Sequence, residues 1–216
     1  MNQFDPISLG VVLALMALVP LLVMVTTSFL KIAVVMSLLR NALGIQQIPP
    51  NLALYALALI LSVYIMAPVG MRMYQTVLVA PAASNQSVAG LVSNLQTGVE
   101  PLRKFMDRNS RPEQKEFFYK TARKLWGAEM AADLKREDMI VLMPAFMTSE
   151  LMAAFQIGFL IYLPFIIIDL IVSNILLAMG MMMVSPVTIS LPLKLFLFVM
   201  VNGWSQLIQG LVYSYT

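Results

Sequence analysis

The stretch that decides the fold covers residues 150–183, ELMAAFQIGFLIYLPFIIIDLIVSNILLAMGMMM. After its first residue it contains one charged side chain, Asp169, and it has no basic residue. As a single helix it would be about 50 Å long, whereas the hydrocarbon layer of a bilayer is about 30 Å thick. The stretch therefore predicts an apolar helical arm that is longer than a membrane is thick.

Charge is scarce everywhere else except in one segment. Hydrophobic residues make up 60% of the 216 residues and charged residues 12%, and the mean hydropathy is +0.83. Soluble chains are about 25% charged. Of the 14 basic and 11 acidic residues, ten and eight respectively lie between Glu100 and Asp138. The composition predicts an integral membrane protein with one charged insert outside the bilayer.

The N-terminal half has the same plan as the C-terminal half. A long apolar arm, residues 7–39, contains Pro20 as a predicted kink, and Gly44 provides a helix stop. Pro49 and Pro50 stiffen the tip that follows. The chain starts without a basic segment before the apolar run, so we predict a retained helix rather than a signal peptide.

The C-terminal half repeats the tip, with Gly180 and Pro186 as its markers. Residues 52–71 and 193–213 return from the two tips with ordinary spanning length. We therefore predict an all-α fold of membrane-type helical hairpins with long kinked arms and a small helical extramembrane insert. The predicted domains are a first hairpin, 1–74, the insert, 75–142, and a second hairpin, 143–216.

Within the insert, residues 80–98 are predicted as a loop or weakly helical linker. Ser110 to Glu113 has capping-box spacing, with Pro112 in the first turn, and predicts a helix that ends at Gly127. We expect one face of this helix to be apolar, formed by Phe118, Ala122 and Leu125.

Composition excludes several function classes. The chain has no cysteine and no histidine, which excludes a thiol nucleophile, an imidazole base and the common zinc-ligand sets. It has no glycine-rich phosphate loop and no nucleophile elbow. The net charge of +3 is too small and too scattered to indicate nucleic-acid binding. We predict no enzyme, no metal site and no cofactor.

Placing Lys31 or Asp169 in an apolar setting costs about 3 kcal/mol of insertion free energy for each residue. One interpretation is an ion pair between them that fixes how hairpins or neighbouring subunits assemble. The other is that Lys31 extends to a membrane interface and Asp169 caps a broken helix. Glu150 follows two helix-start residues, so we expect it at an interface or on a water-facing wall, and we group it with the candidate assembly residues.

Four methionines, Met179, Met181, Met182 and Met183, flank Gly180 at the second tip. Methionine is unbranched and deformable, so such a cluster could seal a passage and still yield to varied cargo. The alternative is ordinary packing against lipid or core, which 18 methionines in the chain make more frequent by chance.

Several short motifs occur in order along nearly the whole chain. They are LRNALG at 39–44 with PPN at 49–51, PLR at 101–103 with FM at 105–106 and Arg108, PAF at 144–146 with TSEL at 148–151, AFQIGF at 154–159, PFIIIDL at 164–170 and MGMMM at 179–183. Together they resemble the FliP/SctR family of type III secretion export-gate proteins. Within the family, Gln46-Gln47 before the proline pair resembles the virulence injectisome branch more than the flagellar branch, and the absence of a signal peptide favours the same branch. At one position the sequence departs from the family pattern, because Asn202 stands where the family often has aspartate.

The resemblance implies a non-enzymatic core subunit of the bacterial inner-membrane export apparatus. It implies a homo-pentamer that assembles with FliQ/SctS-type and FliR/SctT-type subunits and passes unfolded secreted proteins through its centre. It also implies that Met181, Met182 and Met183 correspond to a methionine ring that gates this channel. A small-solute or ion transporter with Lys31 and Asp169 in its pathway is the alternative function.

Basic residues near the two tips, Arg40 and Lys194, favour cytoplasmic tips and a periplasmic insert. Because both arms exceed the bilayer thickness, we expect part of each hairpin to stand outside the hydrocarbon layer when assembled. Much of the apolar surface would then be an interface for sister subunits.

Overall fold

The computed structural model describes residues 6–45, 48–79 and 97–216, and the regular structure within these ranges is helical, without a strand. The predicted all-α fold is confirmed. Gln46 and Gln47, and most of the linker predicted over 80–98, lie outside the described residues. The helices are α1 (Pro6–Thr26), α2 (Phe29–Ala42), α3 (Asn51–Val79), α4 (Glu100–Asn109), α5 (Pro112–Met130), α6 (Met139–Ala178), α7 (Pro186–Met200) and α8 (Gly203–Tyr213).

The first predicted arm is two helices rather than one. α1 continues through Pro20 and ends at Thr26. The hydroxyls of Thr26 and Thr27 donate to the carbonyl oxygens four residues earlier, at 2.7 and 2.6 Å, and the N–H of Phe29 then donates to the Thr27 hydroxyl at 3.3 Å. These side chains compete with the helical hydrogen bonds, so the break lies at the threonine pair instead of at the proline.

The second arm is a single helix that is longer than predicted. α6 has 40 residues and starts at Met139, eleven residues before Glu150. At 1.5 Å per residue it is about 60 Å long, twice the thickness of the hydrocarbon layer. α6 and the Asn51–Thr76 part of α3 are the two described helices that are long and apolar enough to cross a membrane. The number rises to four if the α1–α2 and α7–α8 pairs each form one span.

Both tips contain the glycine stops that the sequence predicts. Gly44 and Gly180 have φ values of 77° and 74°, which favour glycine because a side chain is strained there. The N–H of Met181 donates to the Leu176 carbonyl at 2.9 Å and that of Gly180 to Leu177 at 3.0 Å, which is a Schellman motif. Pro186 occupies the first turn of α7.

The chain packs as two compact units, one formed by residues 1–30 and 69–147 and the other by 31–68 and 148–216. These units describe packing, whereas the three predicted domains describe position relative to a membrane, so the predicted boundaries stay predictions. In the first unit, Met106, Leu142 and Phe146 are fully buried, and the Phe105 and Phe146 rings lie 5.8 Å apart. This small core joins α4 to the start of α6.

The helix in the insert is confirmed, but two details of it were wrong. The Ser110 hydroxyl donates to the Met106 carbonyl at 2.7 Å instead of capping α5, and the residue at the cap position, Arg111, makes no side-chain cap hydrogen bond. Leu125 is 75% exposed, so it does not belong to the buried face that holds Ala122. Gly127 has a φ of 78° and a non-helical backbone, so the regular helix that starts at Pro112 ends there as predicted, and a further helical stretch of α5 follows the kink to Met130.

The core of the second unit lies where α2, α6, α7 and α8 meet. Leu39, Ala42, Leu43, Phe165 and Phe198 form its buried cluster. The ring of Phe198 lies 6.5 Å from Phe165 and 5.5 Å from Trp204, the latter edge to face. This unit holds all of the predicted site residues, and its core fixes the helices that carry them.

Candidate functional site: two lysine clusters and a methionine tip

Three side chains from distant parts of the chain form the first buried polar group, named here the Lys31 cluster. Lys31 on α2 pairs with Glu150 on α6, with Nζ 3.3 Å from Oε1. Tyr215, beyond the end of α8, donates its hydroxyl to Oε2 of Glu150. The Lys31 Nζ lies 3.6 Å from the centroid of the Tyr215 ring. Lys31, Glu150 and Tyr215 therefore contact one another in a closed triangle.

Because the Lys31 cluster is buried, we expect the loss of any one of its side chains to destabilise the other two. The side chains of Lys31 and Glu150 are 4% and 3% exposed. A buried ion pair is tolerated when additional hydrogen bonds satisfy it, and removal of one partner leaves an uncompensated charge. Burial also raises the pKa of Tyr215, so its hydroxyl keeps the proton that it donates to Glu150. The cluster ties α2, α6 and the segment after α8 together.

A second group, named here the Lys194 cluster, lies on the second hairpin. Lys194 on α7 pairs with Asp169 on α6, with Nζ 2.6 Å from Oδ2, and Ser190 donates its hydroxyl to Oδ1 at 2.6 Å. The same ammonium donates to the carbonyl oxygen of Ala42 at 3.3 Å. Ala42 is the last residue of α2, whose final carbonyls have no helical partner, so Lys194 stabilises that helix end.

The predicted pair between Lys31 and Asp169 is wrong, because each side chain has a different partner within the chain. The alternatives fail as well: Lys31 is buried instead of extending to an interface, and Asp169 lies inside the continuous helix α6. Glu150 is 2% exposed, so it does not lie on a water-facing wall of this chain. Whether these residues act in assembly stays a prediction.

Sequence reasoning missed Tyr215, Ser190 and the true role of Lys194. For Lys194 a signal was present: Asp169 lies nine residues before the end of α6, and Lys194 lies eight after the start of α7. Antiparallel helices place these two positions at the same level. The Lys31–Glu150 pair joins residues 119 apart, and no periodicity in the sequence predicts a contact at that separation.

The methionine tip covers residues 179–185, between α6 and α7. Met179, Met182 and Met183 are strongly exposed, Met183 completely, and Met181 is 39% exposed. The Schellman motif at Gly180 ends α6 at this point, so the sulfur-bearing side chains project from a turn whose backbone is hydrogen bonded. The tip is an exposed apolar surface on an ordered support.

The first tip is closed by a side-chain hydrogen bond. Arg40, near the end of α2, donates from Nη1 to Oδ1 of Asn51, the first residue of α3. Pro50 accepts backbone hydrogen bonds from Ala53 and Leu54 at 3.0 and 3.3 Å, which starts α3 directly after the Pro49-Pro50 pair. Gly44, Pro49 and Pro50 thus lie between the end of α2 and the start of α3.

The break between α7 and α8 needs a glycine for lack of space. A Cβ atom at Gly203 would lie 2.2 Å from Cε2 of Phe198, which is buried. Asn202 just before it has a φ of 51°, in the left-handed region that asparagine and aspartate adopt more readily than most residues. Asparagine therefore satisfies the backbone requirement at this break without a carboxylate.

An apolar cavity of about 430 Å³ borders this break and the Phe165–Phe198 ring pair. Among the described residues that line it, Gln206 is the one polar side chain, so the cavity offers no acid–base pair. Within the described part of the chain, no group of three or more Asp or Glu residues could hold a metal ion.

Comparison with known proteins agrees with the motifs. The model of the FliP family matches residues 12–211. The chain is 53% identical over 211 residues to the Yop proteins translocation protein R of Yersinia pestis, covering 98% of this chain and 97% of that protein. It is 47% identical over 214 residues to the harpin secretion protein HrcR of Erwinia amylovora, covering 99% and 98%.

A third relative, the virulence protein YscR of Salmonella typhimurium, is 45% identical over 215 residues, with 98% of each chain covered. The names of these relatives confirm the predicted resemblance to the virulence-associated branch. The family match and the apolar helices together indicate an inner-membrane protein. The chain belongs to the FliP family.

Proposed function

We propose that this chain is a core structural subunit of the type III secretion export gate in the bacterial inner membrane. Its copies would form a channel for unfolded proteins, with the methionine tip as the gate. The relatives named for translocation and secretion over their whole length support the role in the secretion apparatus. The family resemblance supports a pentamer with FliQ/SctS-type and FliR/SctT-type partners.

The observation that carries the proposal is the methionine tip. Met181, Met182 and Met183 occupy three successive exposed positions, directly after the glycine that ends a 40-residue helix. Exposed apolar side chains on a turn gain nothing from the fold of the single chain, and they become useful when copies of the turn meet. Flexible thioether side chains can close a passage against water and still adapt to a passing chain.

The Lys194 cluster supports the same proposal because it fixes the base of the tip. Asp169 and Lys194 hold α6 to α7, and the Lys194 ammonium also holds the end of α2. A gate that yields to cargo needs a rigid support, so that the methionine side chains move and the helices do not. In this proposal Asp169 and Lys194 stabilise the packing of α6, α7 and the end of α2.

Apolar surface that the chain does not bury within itself supports assembly with other subunits. In α6 and in the Asn51–Thr76 part of α3, only 17% of the most apolar 18-residue window is buried within the chain. The 18 residues between Glu150 and Asp169 carry no charge and are about 28 Å long, close to one hydrocarbon thickness. The remainder of α6 would extend beyond the bilayer and would contact sister subunits there.

We include the periplasmic position of the insert in the proposal, with Arg40 and not Lys194 as the tip charge that supports it. Lys194 lies inside α7 and is buried against Asp169, so it does not count as a loop charge. Arg40 remains as the base at a tip, hydrogen bonded to Asn51. Cysteine labelling from each side at Ser110 and Gln47 tests this orientation in a chain that has no native cysteine.

The transporter alternative assigns Lys31 and Asp169 to a solute pathway. It predicts that Asp169→Asn abolishes flux without a change in assembly. The observed contacts favour a structural role instead, because Lys31 is enclosed by Glu150 and Tyr215, and Asp169 is bound by Lys194 and Ser190.

The experiment that tests the proposal is the mass of the detergent-extracted complex, expressed alone and together with the two partner subunits. An export-gate subunit gives a discrete homo-oligomer, and co-expression adds the mass of the partners. A monomer under both conditions, with full solute uptake in vesicles, would contradict the export gate and support the transporter.

A further inference from the structure

The feature of interest is an exposed face of α5 that mixes aromatic, aliphatic and basic side chains. It is formed by Phe117, Lys120, Lys124 and Leu125, around Thr121, and is named here the α5 face. Phe117 and Leu125 are 57% and 75% exposed, although both are large apolar residues. Lys120 and Lys124 lie between them and are exposed as well. These positions recur at three- and four-residue spacing, so they share one side of the helix.

The charge on this part of α5 has one sign. Residues 117–126, FFYKTARKLW, contain four aromatic residues, three basic residues and no acid. The acids of α5 lie at Glu113, Glu116 and Glu129, outside this segment. Glu116 is turned toward two bases, since it pairs with Lys120 at 3.2 Å and Arg136 at 3.0 Å. A basic and aromatic surface of this kind is complementary to an anionic layer that also has an apolar part.

Other sides of α5 are occupied by contacts within the unit. Lys115 pairs with Asp107 on α4 at 2.7 Å, Ala122 is buried, and the guanidinium of Arg136 lies 5.4 Å from the Tyr119 ring. The exposed apolar side chains on the α5 face are therefore not required by the packing of the insert itself.

The end of α5 is close to a membrane-length helix along the chain. α5 ends at Met130 and α6 begins at Met139, so eight residues connect them. Fully extended, eight residues reach about 28 Å at most. α6 is long and apolar enough to cross a membrane, and the charge-free stretch of it that ends at Asp169 begins at Leu151, twelve residues or about 18 Å of helix after Met139. The α5 face therefore lies within about 46 Å, measured along the chain, of the point where α6 would enter the hydrocarbon layer.

From these observations we propose that the α5 face binds the anionic headgroups of the membrane surface. Lys120 and Lys124 contact the phosphates, while Phe117 and Leu125 enter the interfacial layer below them. The long lysine stems lie along the apolar side chains and keep their ammonium groups at headgroup level. The proposal assigns the insert a lipid contact, which is separate from any channel function of the hairpins.

The test uses the full-length chain with a single thiol, since the native chain has no cysteine. Thr121→Cys places a spin label at the centre of the α5 face without removing its lysines, Phe117 or Leu125. The protein is reconstituted in nanodiscs of palmitoyl-oleoyl phosphatidylcholine, with and without phosphatidylglycerol. We expect the label to become accessible to oxygen and protected from a water-soluble nickel reagent in the anionic discs, and less so in the zwitterionic discs.

A matched pair of charge reversals sharpens the test. Lys120 and Lys104 are equivalent in their local chemistry: each pairs with a glutamate four residues earlier, and their side chains are 73% and 76% exposed. Only Lys120 belongs to the α5 face. We expect Lys120→Glu to reduce the ratio of lipid-bound to water-exposed label about fivefold or more, because a base near an anionic surface contributes roughly that factor. Lys104→Glu should leave the ratio unchanged.

Three outcomes would overturn the proposal. A label that stays accessible to nickel in anionic discs means that no lipid covers the face. Equal effects of Lys120→Glu and Lys104→Glu mean that net charge, not the α5 face, sets the position of the insert. Protection that persists in detergent micelles and grows with protein concentration means that a second copy of the chain covers the face.

Discussion

The Lys31 cluster and the Lys194 cluster both place a lysine ammonium among apolar helices, but they differ in the exposure of the acid. Glu150 is almost completely buried beside Lys31, whereas the side chain of Asp169 is 39% exposed beside Lys194. Water can therefore replace a lost partner of Asp169, and it cannot replace one of Glu150. The comparison indicates that the Lys31 cluster needs both of its charged partners, whereas the Lys194 cluster, beneath the methionine tip, tolerates the loss of one better.

The largest expected effect comes from removing half of the buried pair. Lys31→Met leaves the Glu150 carboxylate without its cation, and we expect a loss of about 3–5 kcal/mol in the free energy of unfolding. The double variant Lys31→Met/Glu150→Gln removes both charges and keeps an acceptor for the Tyr215 hydroxyl, so it should recover most of the loss. Denaturant unfolding in detergent measures both. A double variant as unstable as the single would contradict the pairing.

The next effect is that of Lys194→Met, which removes a donor from two acceptors at once. We expect a loss of about 2–3 kcal/mol, less than for Lys31→Met, since Asp169 regains water while the Ala42 carbonyl does not. Hydrogen exchange should rise at the end of α2 and in residues 179–185 together. Faster exchange at the tip alone would show that Lys194 does not support α2.

A smaller effect is expected for Tyr215→Phe, which removes the hydroxyl and keeps the ring over Lys31. The loss of one hydrogen bond to a buried carboxylate should cost about 2 kcal/mol. Tyr213→Phe, two residues earlier and strongly exposed, is the matched control and should be nearly neutral. Equal stability of the two variants in thermal unfolding would remove Tyr215 from the cluster.

The smallest effect concerns the break between α7 and α8, where the change is one of packing and not of charge. Gly203→Ala forces a methyl group into the Phe198 ring, and we expect a loss of about 1–2 kcal/mol from overpacking. Gly210→Ala is the control, because a Cβ atom there meets nothing within 4 Å. In a helix it should stabilise slightly. If the two alanine variants unfold at the same temperature, the close approach at Gly203 is not limiting.

The local features of the fold could be predicted from the sequence, whereas its long-range contacts could not. Local chemistry predicts the glycine stops at Gly44 and Gly180, the proline at the start of α7 and the long second arm, and the structure contains them. A kink was predicted at Pro20 and the break after Thr26 was not predicted, because competition from threonine hydroxyls depends on rotamers that a sequence does not reveal.

The residues of the candidate site were predicted from the sequence, but the contacts between them were not. Lys31, Glu150 and Asp169 were selected because charges are costly in an apolar chain, and all three lie in buried or partly buried polar clusters. The predicted pairing of Lys31 with Asp169 was wrong, because pairing depends on how helices distant in sequence are brought together. Lys194 could have been paired with Asp169 from its level on an antiparallel hairpin, whereas Tyr215 carried no comparable signal.

We propose that the methionine tip closes the channel, and ion conductance through the reconstituted complex with its partner subunits tests this proposal most directly. Replacement of Met181, Met182 and Met183 by alanine should open a steady leak, and replacement by leucine should preserve the seal, because leucine keeps the apolar volume. Alanine at three other exposed methionines, Met71, Met130 and Met200, is the matched control and should not leak. A tip-alanine complex as tight as the native one, or a control that leaks equally, would contradict the account.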